Sequence, residues 1–193
     1  DLVRSRGLGD VYKRQEKMID DSYYLDGGFH DYIPANSLLE KGYDKVYVID
    51  LQAIGLRRPY NDRKKIVVIK PSRKLGSILD FKKNDIRNNI KMGYYDTLRV
   101  LKEFDGKKYI FKKRGLWYYE YLLKSVNTKD KEEMMKFFGT KNTKRLGIKA
   151  LEFVMKKENF TYFNIYKAKD VIKRIRYVDK NYGVYKFVKN MNV

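Results

Sequence analysis

Cysteine is absent from the 193 residues and histidine occurs once, at His30. These two shortages exclude disulfides, thiol catalysis and any zinc site built from Cys and His. No apolar run approaches the roughly 18 residues that cross a bilayer, and no internal repeat or low-complexity tract interrupts the chain. The corresponding expectation is a cytoplasmic chain, at most peripheral to a membrane. What is present is a hydrophobic content of 43%, enough to bury a core in one domain, or in one domain with a small appendage.

Acidic residues are also scarce relative to basic ones, and the formal net charge is +20. The excess is uneven. Residues 16–104 carry 17 Lys and Arg against 13 Asp and Glu, whereas residues 105–193 carry 23 against 9. A cationic half rich in Tyr and Phe admits three readings. Its Lys and Arg can be solvated helix faces around an aromatic core. They can also rest on anionic lipid, where each cation near the surface contributes about 1 kcal/mol. Or they can bind nucleic acid through backbone charge and base stacking. No RNA-binding or helix-turn-helix signature accompanies the charge, which makes nucleic acid the least supported partner.

Residues 1–15 show neither helical nor strand periodicity. Within them, Asp10-Val11-Tyr12-Lys13-Arg14-Gln15 resembles the translation of a transposase mosaic-end adapter, read GAT GTG TAT AAG AGA CAG. Residues 1–15 are therefore expected to be an artefactual adapter translation, with native sequence from Glu16 and a longer parent protein.

From there the chain alternates elements. Residues 22–25 read as a strand that stops at Asp26-Gly27-Gly28, where glycines permit a sharp turn. Pro34 opens a helix over about 35–41, closed by Gly42. Residues 45–51 and 65–70 are β-branched runs that read as buried strands, and Gly55 to Arg63 is loop chemistry. A helix is predicted after Asn84 or Asp85 with apolar positions at Ile86, Ile90, Tyr94, Leu98 and Leu101. Strand, helix, strand is the α/β pattern. Beyond Asp105, three or four helices are expected. One starts on a capping box of Asp130 and Glu133 and stops before Gly139. Another carries a stripe of Ile148, Leu151, Val154 and Met155, and the last one of Val171, Ile172, Ile175 and Val178.

The run YYLDGGFHDYIPANSLLEKGYDKVYVIDL resembles the patatin-like phospholipases, in which Asp-Gly-Gly follows a strand and precedes a Pro, a helix, a Gly-x-Asp and a buried strand. The resemblance continues through IVVIKPSRKLGSILDF and Gly93-Tyr94-Tyr95-Asp96, covering about residues 18–102. It implies that 16–104 are the C-terminal half of a three-layer α/β/α domain, followed by a basic, mainly helical region over 105–193. It further implies a Ser-Asp dyad that cleaves fatty-acyl esters of phospholipids or related lipids, with no cofactor and no metal. Asp26 matches the proton acceptor, and Gly27 and Gly28 complete its motif. Such a base takes the serine proton during attack and returns it to the leaving alcohol. His30 is not needed by a dyad, and Tyr32 departs from the pattern, which has Asn before the apolar residue and Pro.

The nucleophile elbow Gly-x-Ser-x-Gly occurs nowhere in the chain, and Gly7-Leu8-Gly9 lies within the adapter-like stretch. In family order, both serine and oxyanion loop precede the Asp, so this chain by itself is expected to be inactive. The rival expectation from a different class is a non-enzymatic basic module that binds nucleic acid or an anionic membrane surface.

Overall fold

The computed structural model describes residues 17–24, 27, 30–52, 55–77 and 82–193. The adapter-like residues 1–15 lie outside them, as do Asp26 and Gly28. The architecture is mixed α/β, with short two-stranded sheets and helices in two compact units that meet in sequence at Lys70 and Pro71.

In the first unit, β1 (Lys17–Ile19) and β2 (Ser22–Tyr24) form an antiparallel hairpin. Asp20 and Asp21 join them with φ of 48° and 58°, the doubly left-handed turn that Asp tolerates and that matches strand twist. The strand leading to Asp-Gly-Gly thus pairs locally with its predecessor instead of joining the parallel strands that follow. Next, α1 (Ala35–Glu40) ends where Gly42 takes φ of 85°, its N–H bonded to the Leu39 carbonyl at 3.0 Å.

β3 (Val46–Ile49) and β4 (Ile66–Ile69) pair in parallel, Val46 opposite Ile66 and Ile49 opposite Ile69. A single 3₁₀ turn, Arg63–Lys65, leads into β4, and Asp62 caps it by accepting from the Lys64 N–H at 2.9 Å. Ala35, Val46, Val48 and Ile66 form the small core of this unit. The sequence predicted strands buried throughout, but β3 alternates: Val46 and Val48 point inward while Ile49 is 67% exposed and Tyr47 also faces solvent. Parallel strands are ordinarily covered on both faces. Here the small core covers one face, while on the other Ile69 is buried and Tyr47 and Ile49 are exposed.

The second unit starts with α2 (Lys83–Leu101), whose N-cap is Lys82, two residues before the expected Asn84 and three before Asp85. Asp85 sits instead in the first turn, where a carboxylate favours the helix dipole. Of the periodic stripe, Ile86, Ile90, Tyr94 and Leu101 are exposed and Leu98 is half-buried, while Met92 and Asp96 are buried on another face. Asp96 is held there by the Ser72 N–H at 2.7 Å and by Arg99 at 2.8 Å.

Five helices follow, one or two more than periodicity indicated: α3 (Leu116–Leu123), α4 (Thr128–Phe138), α5 (Thr143–Lys157), α6 (Ala168–Arg176) and α7 (Gly183–Lys189). A two-residue parallel ladder of β5 (Ile110–Phe111) and β6 (Ile165–Tyr166) lies among them. The predicted stripes on α5 and α6 do enter the core: Leu151, Val154, Met155, Val171, Ile172 and Ile175 are almost wholly buried with Tyr109, Tyr119 and Phe187. Burying each such aliphatic side chain contributes about 1.5–3 kcal/mol.

The loop before β5 is clamped electrostatically. Three successive N–H groups, of Lys107, Lys108 and Tyr109, bond one oxygen of Glu152 at 2.7, 2.6 and 3.1 Å.

Composition changes at Asp105, yet the contacts divide the chain at Lys70 and Pro71. Aromatic stacking explains the offset. The Arg73 guanidinium lies 4.2 Å from the centre of the Tyr162 ring, Tyr95 packs on Phe163, and Arg99 bonds the Lys107 carbonyl. The segment from 71 to 104 is thereby tied to the basic helical region.

Candidate functional site

At the Asp-Gly-Gly motif, the Gly27 carbonyl receives the N–H groups of His30 at 3.0 Å and Asp31 at 2.9 Å, which closes a tight turn. Gly27 makes this turn without a left-handed φ. Asp31 completes the bend by accepting from the Ile33 N–H at 3.2 Å, an Asx turn that occupies one of its oxygens. His30 is exposed, its Nδ1 3.1 Å from an Arg58 nitrogen. This partner is a cation, which is not the carboxylate that would orient a catalytic imidazole.

A polar cluster of this unit surrounds Asp50. Asp50 directly follows β3, is 1% exposed, and donates its N–H to the Ile69 carbonyl at 2.9 Å. Oδ1 accepts from the Gln52 N–H at 2.9 Å and from the Tyr32 hydroxyl at 3.2 Å. Oδ2 has Arg57 at 3.1 Å and Lys70 at 3.3 Å, within ion-pair distance but off the hydrogen-bonding line.

Burial is the largest single influence and pushes the Asp50 carboxyl upward. The Gln52 N–H, Lys70, Tyr32 and Arg57 together outweigh it and hold the group below the usual carboxylate range. Tyr32 is pushed up, by burial first and by Asp50 second, and stays a neutral donor. Asp50 is therefore held in its anionic form by partners it already has. It ties Gln52 and Arg57 to the C-terminal ends of β3 and β4, the edge at which α/β sheets present their ligand sites. Tyr32, where the sequence departs from the patatin-like pattern, is one of the ties.

Beside this cluster, a cleft of about 410 Å³ is lined by His30, Asp31, Ser37, Glu40, Arg58 and Asn61, among others. Asn36 closes one wall, donating to the Pro59 carbonyl at 2.8 Å and accepting from the Asn61 N–H at 2.9 Å.

Periodicity and motif could not find Asp50. Its partners stand 18 residues before it, and 7 and 20 after it in sequence, and only the parallel register brings them together. Asp26 and Gly28, the other members of the sequence-predicted site, lie outside the described residues. Among the described residues no three of His, Asp and Glu gather as metal ligands, and no helix is long and apolar enough to cross a membrane. No protein-family model, curated protein or solved structure matches this sequence.

Proposed function

We propose that this chain is the aspartate-bearing part of a patatin-like lipid acyl hydrolase, from a three-layer α/β/α domain. The observation that carries the proposal is the order Asp-Gly-Gly, tight turn, Pro34, α1, β3, in which β3 belongs to a parallel pair and α1 packs its Ala35 against Val46 and Val48. In this reading Asp26 is the base. Its carboxylate accepts the proton of a serine Oγ as that oxygen bonds to the ester carbonyl carbon. The same proton then passes to the alcohol oxygen as the ester C–O bond breaks, leaving an acyl-serine that water hydrolyses.

The serine and the backbone amides that stabilise the oxyanion belong to a segment preceding Glu16 in the parent protein. The substrate is a fatty-acyl ester of a phospholipid or related lipid, met at an anionic membrane surface.

Two measurements test the proposal. Sequencing the DNA upstream of Glu16 is expected to give an open frame with Gly-x-Ser-x-Gly. The full-length protein is expected to hydrolyse a short-chain p-nitrophenyl ester, and Asp26→Asn to lower kcat by about 10²–10⁴. A frame without the serine motif, or an Asp26→Asn protein as active as its parent, rejects it.

A further inference from the structure

A second cleft, of about 520 Å³, lies in the basic unit, among the end of β5 and the first turns of α3 and α6. The parallel register sets Phe111 opposite Tyr166, and the Lys112 N–H continues it by bonding the Tyr166 carbonyl at 2.9 Å. Lys112 and Lys167 therefore leave the two strands side by side at the cleft. Arg114, Lys169 and Lys173 bring its cations to five, against one carboxylate, Asp170. None of the five is in an ion pair among the described residues. Arg114 rests over Tyr118 at 5.5 Å and Lys169 over Tyr121 at 5.3 Å, so rings rather than carboxylates hold them. Cations gathered this way repel one another, and an anion entering the cleft relieves that repulsion.

Trp117 supplies the second requirement. The indole lines the cleft and is 67% exposed, which gives the fold little in burial. It is nonetheless held in place. A Cβ at Gly115 would stand 2.8 Å from its Cδ1 and 2.9 Å from its Nε1, so the ring folds back over bare glycine backbone. Tyr118 braces it edge-on, with ring centres 5.9 Å apart at 85°. A fixed, exposed indole in a concavity is a stacking platform. Membrane anchoring, in contrast, calls for an indole that stands proud of the surface.

We propose that this cleft binds a nucleotide unit, with the base stacked on Trp117 and the phosphate held among Lys112, Lys167 and Lys173. Cations alone would serve any anion; the flat ring beside them selects a phosphate that carries a base. The cleft volume is that of a small-ligand site. Free nucleotides and single-stranded nucleic acid share this chemistry, and the experiment separates them. The proposal is independent of the hydrolase reading.

Trp117 is the only tryptophan of the chain, so intrinsic fluorescence reports on this cleft. The protein is titrated with ATP, with a short oligothymidylate, with inorganic triphosphate and with vesicles containing an anionic phospholipid. Saturable quenching by ATP marks a free-nucleotide site, and stronger quenching by the oligothymidylate marks a single-strand site. Either outcome supports the proposal if triphosphate binds about ten-fold more weakly or worse. With a labelled oligothymidylate or ATP followed by anisotropy, Trp117→Ala is expected to weaken binding about ten-fold or more. The double variant Lys167→Gln/Lys173→Gln, its helicity checked by circular dichroism, is expected to weaken it and flatten the salt dependence. No saturable response to ATP or oligothymidylate overturns the proposal. So does triphosphate binding as tightly as either, Trp117→Ala binding unchanged, or a Trp117 blue shift seen only with the vesicles.

Discussion

Gly147 sits within α5, where glycine ordinarily costs a helix about 1 kcal/mol relative to alanine. Propensity alone would make Gly147→Ala stabilising. The packing reverses the sign: an added Cβ would stand 2.9 Å from Cδ1 of Tyr119, a ring with no exposed surface whose hydroxyl is bonded to Asp105 Oδ2 at 3.3 Å. A buried aromatic cannot swing aside as a surface lysine can, and overpacking of this kind costs about 1–3 kcal/mol. Gly147→Ala is expected to lower Tm by a few degrees in a thermal melt followed by circular dichroism; a rise in Tm would show that the helix term wins. Asp50 teaches a related lesson about acids. A carboxylate with two N–H or O–H donors and two cations is too well stabilised to be a good base, which is a residue-level reason to keep the base role for Asp26.

At the scale of elements, helix starts decide what was legible. Gly42 and Gly139 stop their helices as the sequence predicts, and both take left-handed φ there, 85° and 58°. The start of α4 was displaced: Asn127, not Asp130, is the N-cap, its Oδ1 accepting from the Asp130 N–H at 2.7 Å. Both residues are good caps by type, and the choice depends on where the preceding turn, with Val126 buried, releases the chain. Asn127→Ala is accordingly expected to destabilise by about 1 kcal/mol in urea unfolding, with Asp130→Ala costing less; the reverse order would restore Asp130 as cap. β3 and β4 were legible because β-branched runs have few alternatives. The exposed stripe of α2 was not, because periodicity gives an apolar face without saying whether anything covers it. β1 was missed because two aspartates rather than Asn-Gly make its turn. The Asp50 cluster was invisible for a different reason, being made by register between distant segments.

For the molecule as a whole, the two units are unequal. The first packs a few residues around β3 and α1, while the second buries an extensive core rich in tyrosine. Burial is the main cause that raises the hydroxyls of Tyr109, Tyr118, Tyr119, Tyr166 and Tyr185 above their ordinary range. In the unfolded chain these groups ionise near pH 10. Above that pH the unfolded state binds fewer protons than the folded one, so stability is full below about pH 10 and falls as pH rises toward the folded values. The expected result is a urea midpoint that is level through neutrality and drops steeply beyond about pH 10. Tyrosinate absorbance from these five hydroxyls should appear only as helical circular dichroism is lost. Complete tyrosine titration with helicity intact would show that these hydroxyls are not sealed from water, and the packing of the second unit would need to be redrawn around them.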